Sequence, residues 1–417
     1  MSKLKIAIWH NLPSGGGKRS LYYHVRGLIE RGHTVESWCP STADRTYLPL
    51  DDFIKEHVIP FDWEPKSSKT RVSAVLNNFA NTTNRIAAMD EHCQQCASEI
   101  NAGDFDVLFV NPCGFFRTSA IGHYVQIPKV LYLQEPYRPL YEAMPRLPWL
   151  ALPDSTKHWW QSVRDIYRFI SNLVEVQALR VQAREELKNA QAFDLILVNS
   201  LFSRESVQRA YGLDSKVCYL GVDSKLFEPL HLPRQNIVVG LGGIAPGKGL
   251  DRAVRSIGTI TASERPSLVW IGNFSDSNYL NEIEKLAGSL EVDFVQKVRI
   301  SDRELVVLLN QASVMIYTSI LEPFGFAPLE ANACGTPVVA IAEGGVRETL
   351  QDGVNGFLIN DNNPIEIGRA ISKLINNPNL VREIGESARN IVVEKWSLEN
   401  AINNIENVLL AEAKAKK

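Results

Sequence analysis

Nowhere in the 417 residues does an apolar run approach the ~20 residues that a membrane-spanning helix needs. The opening stretch MSKLKIAIWH has too short an apolar core for a secretory signal, so the expected location is cytoplasmic. Excess charge of either sign is also missing: a net charge of −3 argues against nucleic acid as the main partner. Cysteine is sparse, and the six (39, 93, 96, 113, 218 and 334) are too scattered for a disulfide framework, which predicts reduced thiols. Cys93 and Cys96 form one C-x-x-C without a second pair, a spacing that is read as neighbouring turns of a helix in preference to a zinc or redox site. A complete phosphate-binding P-loop is absent too. Leu12 stands where its first glycine belongs and Arg19 where its Ser or Thr belongs, while Gly242 to Gly249 misses the pattern by one position, Gly249.

What is present is concentrated between residues 313 and 360. Ser313 to Ser319 is short, mostly apolar and β-branched, which suits a buried strand of a parallel sheet. Pro323 and Gly325 break it. From Ala327 the spacing turns helical, with Pro328 near the first turn, Glu330 just inside the helix, Gly335 at the stop and Pro337 beyond. Strand, tight loop and short helix deliver Glu322 at a strand end and the backbone N–H groups of Gly325, Phe326 and Ala327 at a helix start, where open α/β sheets bind ligands. Such amides, with the positive end of the helix dipole, suit a phosphate. Glu322 and Glu330 flank that position, each able to accept from neighbouring sugar hydroxyls. A phosphate with a polyol at either end describes a nucleotide sugar.

Two glycine loops follow strands. Lys5 to Trp9 runs into Gly15-Gly16-Gly17-Lys18-Arg19 and then a helix; Asn236 to Leu241 runs into Gly242-Gly243-Ile-Ala-Pro-Gly247-Lys248-Gly249 and another helix. Further strands are expected at Thr34 to Cys39, His57 to Phe61, Asp106 to Val110, Val130 to Leu133, Asp194 to Val198, Lys216 to Leu220, Ser267 to Ile271, Val292 to Val298, Pro337 to Ile341 and Gly356 to Ile359. The alternation of strands and helices predicts doubly wound parallel sheets, and the length predicts two domains of about 200 residues. Asp104-Phe105-Asp106 matches a D-x-D metal motif but precedes its strand, on the edge away from ligands. Residues 157 to 189 read as a long helix with Trp159, Trp160, Val163, Ile166, Tyr167 and Ile170 on one side and Lys157, Arg164 and Arg168 nearby, a pattern that fits either a core-covering helix or one lying on a membrane surface.

Glu322-x7-Glu330 around Pro-Phe-Gly, followed by Cys334-Gly-Thr-Pro337, Gly344-Gly345, Glu348 and Asp352-Gly353-x-Asn355-Gly356, resembles the signature of the family-4 (group 1) retaining glycosyltransferases. The resemblance implies the GT-B fold, two facing Rossmann-like domains with parallel sheets and a C-terminal helix crossing back to the first. It puts an acceptor-side domain at 1–222, packed by 397–417, and a nucleotide-sugar domain at 223–396. It further implies that Glu322, with the Phe324-Gly325 backbone, addresses the transferred sugar, Glu330 the ribose, Lys248 the diphosphate, and Val298 the base. Gly16 and Gly17 close over the donor in this scheme.

The chain departs from the family pattern at Gly243, where an arginine is usual, and at Gln134, where a cleft histidine is common. Lys18 or Arg19 is expected to replace the charge missing at Gly243 from across the cleft, reaching the phosphates only when the domains close. The reading is a metal-independent, cofactor-free hexosyltransferase acting from a nucleoside diphosphate sugar on a hydroxyl of a glycan or lipid-linked glycan, with Glu322 and Lys248 as catalytic groups. A non-catalytic nucleotide-sugar-binding subunit of the same fold is the alternative. A third reading, an NAD-dependent oxidoreductase, rests on Gly240-x-Gly242-x-x-Ala245 alone.

Overall fold

The computed structural model describes residues 3–67, 70–141 and 160–415, with the side chains of 71–76 and 139 left aside. The chain divides into two compact units: residues 1–198, 204–217 and 405–417 form unit 1, and residues 199–203 and 218–404 form unit 2.

Unit 1 contains β1 (Lys5–Asn11), α1 (Gly16–Glu30), β2 (Thr34–Pro40), β3 (Lys55–Ile59), α2 (Arg71–Ala102), β4 (Val107–Cys113), β5 (Lys129–Gln134), α3 (Arg138–Tyr141), α4 (Val163–Ala190), β6 (Leu195–Val198), most of α5 (Leu201–Tyr211) and β7 (Lys216–Val217). Its sheet runs β3-β2-β1-β4-β5-β6-β7, parallel throughout. The central strands read as apolar runs because helices cover both faces: all seven residues of β4 are buried. Trp9, Leu108, Val110 and Leu131 point into one core with Cys93, Cys96 and Ile100 of α2. On the other face Ile6, Ile8 and Phe109 are buried, and His24 of α1 stands edge-on to Tyr132 at 5.5 Å. Cys93 and Cys96 thus lie one turn apart in the core, their thiols pushed up by burial.

The acids that precede β4 and β6 have a structural task. Asp106 Oδ2 accepts the Lys5 N–H and Asp194 Oδ2 the Lys129 N–H, each at 2.9 Å, so each closes the amino edge of a neighbouring strand. The expected strand from His57 to Phe61 lies two residues earlier, since Pro60 has no N–H to continue the ladder. The long helix expected at 157–189 is α4, Val163–Ala190; Lys157 and Trp159 fall outside the described residues.

Unit 2 contains β8 (Gln235–Leu241), α6 (Leu250–Gly258), β9 (Ser267–Gly272), α7 (Ser277–Ser289), β10 (Phe294–Val298), α8 (Asp302–Gln311), β11 (Ala312–Tyr317), α9 (Phe326–Ala333), β12 (Val338–Ile341), α10 (Val346–Thr349), β13 (Gly356–Ile359), α11 (Pro364–Ile375), α12 (Pro378–Lys395) and the start of α13 (Leu398–Ala415). The sheet order is β10-β9-β8-β11-β12-β13, again all parallel. This order puts the loops after β8 and β11 side by side. From Ile405 onward α13 belongs to unit 1, where Glu406 accepts from His33 at 2.9 Å and pairs with Arg31 at 3.1 Å. Among the described residues no helix is long and apolar enough to cross a membrane.

Candidate active site

The site in unit 2 is built by two loops drawn together at the carboxyl ends of β8 and β11. Thr318 Oγ donates to the Gly249 carbonyl at 2.7 Å and Arg252 Nε to the Thr318 carbonyl at 3.1 Å. A Cβ at Gly249 would stand 2.3 Å from the Thr318 carbonyl oxygen, so only glycine allows this approach. The contact carries Lys248 to Glu322: Nζ donates to Oε1, the oxygen that also accepts Ser319 Oγ at 3.0 Å. Glu322 is nearly buried while Lys248 is partly open to solvent, as suits a lysine positioned by a carboxylate yet able to meet a ligand.

Beyond Glu322 the chain turns sharply. Leu321 adopts φ 53° and Gly325 φ 96°, after which α9 starts with no side chain capping its first amides. The N–H groups of Phe326 and Ala327 therefore remain available at the positive end of the helix dipole. Glu330 lies one turn further in and is 4% exposed. The loop is held by close backbone packing: Gly345 N–H donates to the Glu322 carbonyl at 2.8 Å, and a Cβ on Gly345 would sit 2.1 Å from the Pro323 carbonyl oxygen. The Phe324 ring packs edge-on to Phe326 and Trp396, both at 5.7 Å, so its side chain is taken up in the packing of the loop.

Unit 2 therefore brings Lys248, Glu322, Gly325, Phe326, Ala327 and Glu330 into one loop cluster. Val298 ends β10, two strands from β8, and is 40% exposed; the next residue, Arg299, has φ 56° and donates its N–H to Gly272 at 2.9 Å. Gly243 is covered by the ring of Phe274. Other signature residues prove structural: Glu348 accepts the N–H groups of Leu201 and Phe202 and the Tyr219 hydroxyl, and buried Asn355 bonds Asn332 and the Thr349 carbonyl. Thr318, Ser319 and Arg252 went unnoticed in the sequence, because a hydroxyl or guanidinium that clamps one loop to another has no local pattern.

Gly16 and Gly17 open α1 in unit 1, where Gln134, at φ 63°, brings its side-chain oxygen to 3.5 Å from the place a Gly17 Cβ would take. The two features singled out in the first half of the sequence thus meet. Lys18 and Arg19 are both buried within unit 1. Lys18 is 0% and Arg19 7% exposed, and Lys18 lies close enough to Glu56 to feel its charge. Burial lowers the pKa of Lys18 against the opposing charge of Glu56. Burial also resists ionisation of Glu56, but hydrogen bonds from His10 and Arg45 and the charge of Lys18 hold it down at about 2. His10, Cys39 and Glu56 bring three ligand-type atoms within 4.8 Å, yet Lys18 and Arg45 already supply positive charge there, which opposes a divalent cation.

Residues 223–391 match the family model of the glycosyl transferases group 1. Over 403 residues the chain is 26% identical to the MMP alpha-(1->4)-mannosyltransferase of Mycolicibacterium hassiacum, covering 92% of this chain and 91% of that one. A D-inositol 3-phosphate glycosyltransferase of Streptomyces bingchenggensis is 29% identical over 234 residues, and the alignment spans about half of each chain, 51%. In structure the chain is similar to sucrose-phosphate synthase from Thermosynechococcus elongatus (TM-score 0.72, 17% identity, 99% of this chain and 100% of that one). It is also similar to Anabaena HepE in complex with UDP and glucose (TM-score 0.68, 18% identity, 97% and 99%). Residues 223–391 thus match the group 1 glycosyl transferases, and the chain as a whole has the GT-B fold.

Proposed function

We propose that the protein is a retaining, metal-independent hexosyltransferase that moves a hexose from a nucleoside diphosphate sugar to a hydroxyl acceptor. The observation that carries this reading is the pairing of Lys248 with Glu322 beside the uncapped start of α9, with Glu330 one turn inside. Lys248 and the Phe326 and Ala327 amides stabilise charge that develops on the departing diphosphate. Glu322 holds Lys248 in place and accepts from hydroxyls of the sugar, and Glu330 accepts from the ribose. The leaving phosphate takes the acceptor proton as the acceptor attacks on the face it vacates, so the residues position and stabilise rather than supply a base.

Similarity to a relative whose name denotes a mannosyltransferase and to a structure holding UDP and glucose supports a nucleotide-sugar donor. Incubation with a panel of such sugars, with the released nucleoside diphosphate measured and the product's anomeric configuration read by NMR, tests the proposal. A product of inverted configuration, or activity abolished by chelators and restored by metal, contradicts it.

Two further readings have an observation each. The missing charge at Gly243 favours a non-catalytic nucleotide-sugar-binding subunit, and verified donor binding without turnover on any acceptor would establish it. On α4 and just before it, Trp160 (58% exposed), Val163 (84%), Ile170 (49%) and Leu173 (45%) lie open beside exposed Arg164 and Arg168, which favours a lipid-linked acceptor met at a membrane surface. Sedimentation with anionic vesicles that weakens as salt is raised supports that reading, and none at low salt refutes it.

A further inference from the structure

Gly243 lacks the side chain that would carry positive charge at the diphosphate, and the structure shows what fills its place. A Cβ built on Gly243 would lie 2.4 Å from Cε1 and 2.5 Å from Cζ of Phe274. The ring lies against the glycine, so no larger residue fits at 243 while Phe274 stays. Phe274 is nonetheless 55% exposed, the most open phenylalanine among the described residues of either unit. A large aromatic face left in water has a cost that its neighbours do not recover.

The backbone that carries this ring is held from two sides. The Ile244 N–H donates to the Phe274 carbonyl at 3.0 Å, tying it to the loop after β8 that carries Lys248. Arg299 donates its N–H to the Gly272 carbonyl at 2.9 Å and its Nε to the Asn273 carbonyl at 3.2 Å, tying the loop after β9 to the end of β10. Phe274 follows β9, which stands between β8 and β10 in the sheet. The loop that carries Phe274 thus lies between the proposed diphosphate loop and the Val298 edge proposed for the base, with the ring against Gly243.

We propose that Phe274 is a donor-specificity residue whose exposed face stacks on the nucleobase, so that affinity forgone at the phosphates for want of a charge at 243 is regained at the base. This rests on the reading of unit 2 as a nucleotide-sugar site. Every base has a π-face, so the contact strengthens the nucleoside part of the ligand whichever base it carries, and it survives salt that screens a phosphate contact. The structure thereby couples two positions 31 residues apart: a glycine at 243 makes room for the aromatic at 274.

The test measures binding of UDP, GDP, ADP, the corresponding nucleotide sugars and inorganic pyrophosphate to the parent, Phe274→Ala and Phe274→Tyr. Alanine should weaken the preferred nucleoside diphosphate about 10-fold or more, in the range for loss of one base–aromatic stack. Tyrosine should restore it, and pyrophosphate affinity should be equal in all three, which also reports that the site is folded. A Phe274→Gly, Gly243→Arg double variant should bind pyrophosphate more tightly, with a steeper salt dependence, and should lose the advantage of nucleoside diphosphate over pyrophosphate. Unchanged nucleoside diphosphate binding in Phe274→Ala overturns the stacking proposal alone, as does a loss confined to nucleotide sugars, which would put the ring on the hexose. A parent that binds no nucleoside diphosphate overturns the reading of the site itself.

Discussion

Lys248 and Glu322 meet across 74 residues of sequence, and the pair has two consequences for single substitutions. Lys248→Ala removes the cation proposed to meet the diphosphate and strands a nearly buried carboxylate, so kcat/KM should fall by roughly 10²–10³, the scale for losing one charge-stabilising group. Steady-state kinetics with a saturating acceptor checks this, and a fall under 5-fold would remove Lys248 from the catalytic groups. Glu330 and Glu322 should separate by ligand. Glu330→Ala is expected to weaken plain nucleoside diphosphate by about 10-fold, whereas Glu322→Ala should spare it and damage use of the sugar nucleotide. Calorimetric titration of both variants decides, and equal losses on the plain nucleotide would contradict the division.

At the scale of elements, the loops rather than the strands decide whether the site forms. Gly345→Ala forces a Cβ against the Pro323 carbonyl and should lower stability by about 2 kcal/mol or more, because neither backbone segment can yield cheaply. Gly247→Ala meets nothing within 4 Å and should leave the melting temperature unchanged; thermal unfolding of the two variants compares them directly. The strands were legible because a parallel sheet covered on both faces needs continuous apolar, β-branched runs, and β1, β4, β8 and β11 supply them. Glu322, Gly325 and Glu330 were legible because strand end, turn and helix start are local. The burial of Lys18 was not legible, because the acid whose charge it feels, Glu56, lies on another strand. Phe274 was invisible for the same reason: its value depends on a glycine 31 residues earlier in a neighbouring loop.

For the whole molecule, buried ionisable groups in unit 1 set the response to acid. His24 has its pKa lowered by burial from 6.5 to about 4, so between those values the unfolded chain takes up a proton that the folded one refuses. Stability should therefore fall as pH drops from 6.5 to 4, by at most about 3 kcal/mol from this group. Glu56, lowered from 4.5 to about 2, adds a further loss between those limits as its hydrogen bonds to His10 and Arg45 give way. Denaturant unfolding from pH 7 to pH 4 should show the decline, and His24→Leu should flatten it; an unaltered slope would mean that His24 is not the group responsible. The central claim, that unit 2 is a nucleotide-sugar site built from Lys248, the start of α9, Glu322 and Glu330, is tested most directly by thermal shift with nucleoside diphosphate sugars, NAD and ATP. The account predicts that at least one nucleotide sugar raises the melting temperature, that NAD and ATP do not, and that Glu330→Ala removes the rise. Stabilisation by NAD alone, or a rise that persists unchanged in Glu330→Ala, would contradict it.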